Sequence, residues 1–338
     1  MKYNRTNLPK DNSPDNPEGC LGRISLDIND HVIWNKDEFV KFLVEFQGSV
    51  IDIEIPEGAC LQSLGVYDLL DLFSFESVTI RTHNLIESAP AKHKLNIHKE
   101  ASFQYFRVTD IDYTPFHSWN GKKIFGALYN RPTWPRIGIT GHLLTHHADK
   151  TLLNFRFDPS DPNRREFFEI QPLYNIDPNS VKQFMNISHM LPIQVEETDG
   201  YTIGATAQVH TDQLSKFYQD FLIDIVSETF VRGRSFYPTE KTTRAMLLKK
   251  PFIHMGSKCF LIYLRQMGFQ TFNDFWPEDY DGYPADVKYL MILDLIDSIA
   301  KKPFKELVKM YVAMQPVLEH NYNLLKTHTF TKEITYVD

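Results

Sequence analysis

Residues 235–256, SFYPTEKTTRAMLLKKPFIHMG, decide how the chain reads. The apolar run Ala245, Met246, Leu247 and Leu248 marks a helix, and Thr239 stands at its N-cap position, where a hydroxyl accepts a hydrogen bond from an orphan backbone N–H. Glu240 and Lys241 then fall in the first turn, beside the positive end of the helix dipole, a combination that attracts phosphate. Upstream, Phe221-Leu-Ile-Asp-Ile-Val-Ser-Glu228 is a strand-like apolar run, and Pro251-Phe-Ile-His-Met255 downstream is a shorter one. Strand, loop, helix, strand is the unit from which nucleotide-binding α/β sheets are built.

Outward from this unit the pattern repeats. Lys123 to Leu128 reads as a strand, Tyr129-Asn-Arg-Pro-Thr-Trp-Pro-Arg136 as a loop, and Ile137 to His147 as a helix. Two prolines stiffen that loop, and Arg131 and Arg136 put positive charge at the carboxyl end of a strand, where open α/β sheets place their ligands. Guanidinium groups bind phosphate oxygens in pairs. In the first third, Ser49 to Glu54 and Ser77 to Arg81 read as strands around a helix from Leu61 to Phe73. Residues 156–215 read as polar and irregular, with Asp-Pro turns at 158, 161 and 177. Helical patterns follow at Lys258 to Met267, Asp286 to Ala300 and Pro303 to His320. Between Phe103 and Asn120 the chain is aromatic and aperiodic, which places the domain boundary there. The expected architecture is α/β, with largely parallel sheets in two domains and C-terminal helices. The first domain spans 1–117 and opens on a polar leader at 1–19; the second spans 118–338.

A length of 338 residues exceeds the usual span of one hydrophobic core, and 42% hydrophobic with 13% aromatic residues describes a folded chain. The formal charge of -7 argues against a protein whose main affinity comes from covering nucleic-acid phosphates, though a local basic patch is compatible with it. No signal-like opening and no apolar run of membrane-spanning length occurs, so a soluble, cytoplasmic protein with no membrane partner is expected. Cys20, Cys60 and Cys259 are odd in number and far apart, which fits a reducing compartment and offers no metal-ligand spacing.

The segments KKIFGALYNRPTWPR (Lys122 to Arg136), LIDIVSETF (Leu222 to Phe230) and FYPTEKTTRAMLLKKPFI (Phe236 to Ile253) together resemble the donor-binding half of fucosyltransferase-like GT-B glycosyltransferases. The elements TEKT (Thr239 to Thr242), KPFI (Lys250 to Ile253) and GF-TF (Gly268 to Phe272) are also similar to those of viral and phage-borne glycosyltransferase-like proteins. The likeness covers roughly residues 122–285 and has no counterpart in the first 115. It implies a GT-B enzyme of two Rossmann-like domains facing a cleft, in which 118–338 bind a nucleotide-sugar donor, a UDP- or GDP-sugar, and 1–117 bind the acceptor. Carried over by position, Arg136 and Lys241 contact the donor diphosphate, Glu240 holds the ribose or donor sugar, and Glu228 shapes the crevice floor. Arg131, Thr239, Thr242 and Arg244 complete the implied donor side. The turn Leu-Lys-Lys-Pro-Phe stands where the family has a small, glycine-containing turn, so GDP-fucose does not follow. The phage likeness suggests a hydroxymethylated base in phage DNA as acceptor, acting in a host cytoplasm, while glycan or protein acceptors fit the residues as well. A non-catalytic nucleotide-binding or structural protein is the alternative.

Asp110-Ile-Asp112 and Asp279-Tyr-Asp281 match the Asp-x-Asp pattern that holds a divalent ion on a diphosphate, but among 43 acidic residues such matches arise by chance. With Arg136 and Lys241 neutralising the leaving diphosphate, no metal is expected. Asp110, Asp112 and His117, near the boundary, are the candidates for the catalytic base. His146 and His147 are adjacent on one helix and do not face one ligand together.

Overall fold

A computed structural model describes residues 22–26, 36–55, 58–89, 95–99, 118–129, 132–155, 165–193, 195 and 214–327, with backbone alone at 165–168. The polar leader, the aromatic boundary segment up to residue 117 and the candidates Asp110, Asp112, His117 and Arg131 lie outside the described residues. The chain divides into two compact units, each a Rossmann-like α/β layer structure on a parallel sheet. Described residues from 22 to 99, with 230–237, form the first unit; those from 118 to 229 and from 238 to 327 form the second.

The first unit contains β1 (Gly22–Ser25), α1 (Lys36–Glu45), β2 (Val50–Ile55), α2 (Val66–Leu70), β3 (Ser77–Thr82) and β4 (Leu95–Lys99). Its strands lie in the order β1-β2-β3-β4, all parallel. Ile51, Ile53 and Ile80 of the sheet pack with Phe39, Phe42 and Leu43 of α1 and with Tyr67 and Leu70 of α2. Asp52 is buried in the central strand and is held by Arg23 at 2.7 Å and Arg81 at 3.3 Å from the strands on either side. Residues 230–237 join this unit: Phe230 enters its core and the Phe236 N–H donates to Asn84 Oδ1 at 2.9 Å. The helix expected from Leu61 shortens to α2 because Gly65, at φ 72°, interrupts it.

The second unit contains β5 (Lys123–Tyr129), α3 (Trp134–His146), β6 (Thr151–Phe155), α4 (Arg165–Ile176), α5 (Pro178–Ile187), β7 (Phe221–Ser227), α6 (Glu240–Leu247), β8 (Phe252–Met255), α7 (Phe260–Gln266), α8 (Ala285–Ala300) and α9 (Phe304–Thr327). The strand order is β6-β5-β7-β8, all parallel. From β5 the chain steps outward to β6 and later returns to the other side of β5 as β7. The carboxyl ends of β5 and β7 therefore flank a topological switch point, where such sheets bind ligands. All seven residues of β7 are buried, which explains its nearly continuous apolar run. Its one charge, Asp224, accepts from the Tyr218 hydroxyl at 2.6 Å, and Tyr218 in turn accepts from Arg244 Nε at 2.6 Å. Among the described residues no helix is long and apolar enough to cross a membrane.

Two helices, α4 and α5, occupy part of the stretch read from sequence as irregular. The Asp-Pro pair at 177–178 is a helix start and not a turn. Asp177 accepts from the Asn179 N–H at 3.0 Å as N-cap, and Pro178 follows where a missing N–H costs nothing. Helix α5 lies against α3 at Gly141, where an added Cβ would come within 2.8 Å of the Phe184 backbone nitrogen. Helix propensity alone favours alanine over glycine by about 1 kcal/mol. Because the obstructing atom is backbone, Gly141→Ala is expected to destabilise instead, by about 1–3 kcal/mol in urea unfolding.

Candidate functional site at the carboxyl edge of the second sheet

The end of β7 gathers Arg136, Glu228, Thr239, Glu240, Lys241 and Thr242 of the groups that the sequence singles out. Ser227, the last residue of that strand, accepts at its carbonyl from Arg136 Nη2 at 2.6 Å. Arg136 sits in the first turn of α3, is 2% exposed and lies over the Tyr129 ring at 5.7 Å. Its guanidinium thus ties the start of α3 to the end of β7 beneath the switch point. The first N–H of the same helix, at Trp134, donates to Glu169 Oε2 of α4 at 2.7 Å.

Glu228, one residue beyond β7, is 1% exposed and organises the start of α6. It accepts from the Thr239 N–H at 3.2 Å and from the Thr239 and Thr242 hydroxyls, each at 2.5 Å. Thr239 is the N-cap foreseen in the sequence, with its Oγ1 accepting from the Lys241 N–H at 3.3 Å. Since the Thr242 hydroxyl donates to Glu228, its 3.2 Å contact with His254 Nε2 requires Nε2 to carry the proton. His254 is fully buried, stacks on Phe260 at 3.9 Å between centroids, and its Nδ1 has no hydrogen-bond partner among the described residues.

Electrostatics follow from this packing. Burial opposes the Glu228 charge, yet His254, Lys241 and Thr239 outweigh it and hold the carboxyl down at about 2. Burial likewise pushes the His254 imidazolium down, so the ring is neutral. Lys241 Nζ donates to Glu240 Oε1 at 2.8 Å and to Thr239 Oγ1 at 3.0 Å, and lies 3.9 Å from Glu228. The side chains of Lys241 and Glu240 are 17% and 24% exposed, which makes them the solvent-facing pair of the cluster. Glu240 is held below the usual carboxylate range, burial notwithstanding, by the Lys241 charge. Arg244, by contrast, points into the interior with Tyr218 and Asp224 and is 5% exposed. Two buried hydroxyls at this edge, Ser227 Oγ and Thr133 Oγ1, have no hydrogen-bond partner among the described residues.

The expectation of no metal is corrected by the structure. His142, His147 and Asp297 bring three ligand atoms within 4.8 Å of one another, a group able to hold a metal ion. Sequence spacing conceals it for a physical reason. At His147, with φ -140° and ψ 29°, the chain leaves α3, and the imidazole joins His142 on Asp297 while His146 turns to Gln183. Asp297 arrives from α8, 150 residues beyond His147. The literal Asp-x-Asp at 279–281 does not supply such a site. Asp281 is consumed by Lys288 at 2.9 Å and by the Leu261 and Ile262 N–H groups at the start of α7.

Comparison of the chain with protein-family profiles, with curated proteins and with solved structures finds no match.

Proposed function

We propose that the second unit binds a nucleoside-diphosphate sugar at the carboxyl edge of its sheet and that the chain is a glycosyltransferase. The observation that carries this reading is the position of the Thr239-Glu-Lys helix start. It is pinned by Glu228 to the end of β7, beside the switch point between β5 and β7. Twin Rossmann-like units are the parts of a GT-B scaffold, and the resemblance of residues 122–285 to donor-binding halves agrees with the same assignment.

In this reading the ribose hydroxyls donate to Glu240 and a phosphate oxygen accepts from Lys241, exchanging one ion pair for two contacts with the ligand. Ser227 Oγ and Thr133 Oγ1, buried and unpaired among the described residues, suit the remaining polar atoms of a nucleotide. Arg136 acts as a positioning residue through the Ser227 carbonyl. The acceptor oxygen forms a bond to the anomeric carbon as the bond to the diphosphate breaks. The acceptor proton passes to a base, for which Asp110, Asp112 and His117 are the candidates, and Lys241 offsets the charge on the departing diphosphate.

Incubation with UDP-, GDP-, CDP- and dTDP-sugars, without acceptor, tests this through slow donor hydrolysis. One donor class is expected to release free nucleoside diphosphate above the rate of a heat-inactivated control. Release from none of them, with nucleotide binding retained, supports the non-catalytic alternative and contradicts the transfer reading.

A further inference from the structure

The His142, His147 and Asp297 group has a donor set and a location of its own. Both imidazoles present Nε2 to the same carboxylate oxygen, Asp297 Oδ1, at 2.8 and 2.6 Å. The two histidines are 9% and 11% exposed and Asp297 is 35% exposed, so the cluster is shielded on the histidine side and open on the aspartate side. Two imidazole nitrogens and one carboxylate oxygen suit zinc and its neighbours, whereas magnesium and calcium take oxygen ligands. Zinc bonds of about 2.0–2.1 Å in tetrahedral geometry set ligand atoms about 3.3 Å apart. The present 2.8 and 2.6 Å nitrogen–oxygen separations reach that value by opening about 0.5–0.7 Å.

We propose that His142, His147 and Asp297 form a Zn2+ site, with water completing the coordination, that ties the carboxyl end of α3 to α8. The surroundings already staple the same junction. Lys150 Nζ donates to the Ala300 carbonyl at the end of α8 at 2.9 Å, while Thr151 Oγ1, donating to the His147 carbonyl at 2.9 Å, fixes the turn that carries the imidazole. Helix α3 starts at the carboxyl edge of the sheet and runs back for 13 residues, about 20 Å. The site therefore lies at the amino edge, next to the start of β6 at Thr151 and against Phe125 near the start of β5. It is remote from Lys241, and its ion is a structural clamp independent of the donor reading.

The test uses the full chain, stripped with a chelator and dialysed. Adding Zn2+ in excess is expected to raise the melting temperature by ~5 °C or more. Co2+ is expected to give the visible absorption of a four- or five-coordinate site. His147→Ala and Asp297→Asn lose both responses; Asp297→Asn keeps the side-chain volume and a carbonyl acceptor, and so guards against simple misfolding. His146→Ala and Lys241→Ala keep both responses. Absence of both signals in the parent chain, their persistence in both His147→Ala and Asp297→Asn, or an equal melting shift with Mg2+ overturns the assignment.

Discussion

Glu228→Ala is expected to cost about 3–5 kcal/mol of unfolding free energy, the scale for removing one partner from a buried charged network. The substitution leaves the Thr239 N–H and the Thr239 and Thr242 hydroxyls without the acceptor they share, and strands Lys241 and His254 beside an empty space. Glu228→Gln keeps one acceptor oxygen and loses the charge, so it is expected to fall between the parent and the alanine variant. Urea unfolding of the three chains at neutral pH checks the order. Equal stability of parent and Glu228→Ala would show that the α6 start is not anchored through this carboxylate.

The same group makes a pH prediction. Its folded value of about 2 lies below the ordinary 4.5, so the stability it contributes is fully present above about pH 4.5 and is lost as pH falls towards 2. The difference corresponds to ~3 kcal/mol. In Glu228→Gln that part of the acid limb disappears, and its stability curve is flatter than the parent's over this window.

Lys241→Ala is expected to reduce donor turnover by about 100- to 1,000-fold, the scale for removing one group that stabilises charge developing in a transition state. The fold is expected to survive this change. The Thr239 cap accepts from the Lys241 backbone N–H, which alanine retains, and the lysine side chain is partly exposed. Glu240 then loses its partner but stays within reach of solvent, so the stability loss is within about 1 kcal/mol. A stable variant with parental donor hydrolysis would remove Lys241 from the diphosphate site.

How much of this was legible in the sequence varies with the range of the interaction involved. Strands β5, β7 and β8 are short apolar runs whose burial on both faces leaves a signal in composition alone, and their positions agree with the reading to within a residue or two. The Thr239 cap is local and was equally plain. Helices α4 and α5 were not: Pro172 stands inside α4, and Asp177-Pro178 has the residues of a turn while serving as a helix start. The Asp-x-Asp match at 279–281, read from sequence as a chance occurrence, has a structural use for Asp281, which binds Lys288 and the α7 N–H groups. The His142, His147 and Asp297 group depends on a helix end and a residue from a distant helix, a juxtaposition that no local pattern encodes. Arg136 was legible as a cation at the carboxyl edge, but its bond to the Ser227 carbonyl is a tertiary fact.

The central claim is that the Thr239-Glu-Lys helix start at the end of β7 receives a nucleoside diphosphate. Isothermal titration of the full chain with UDP, GDP, CDP and dTDP, beside Lys241→Ala and His147→Ala, tests it most directly. The account predicts that one nucleotide binds the parent and His147→Ala alike, and binds Lys241→Ala at least about tenfold more weakly, or ~1.4 kcal/mol. Binding heat absent for all four nucleotides, or equal affinity in the parent and Lys241→Ala, would contradict it.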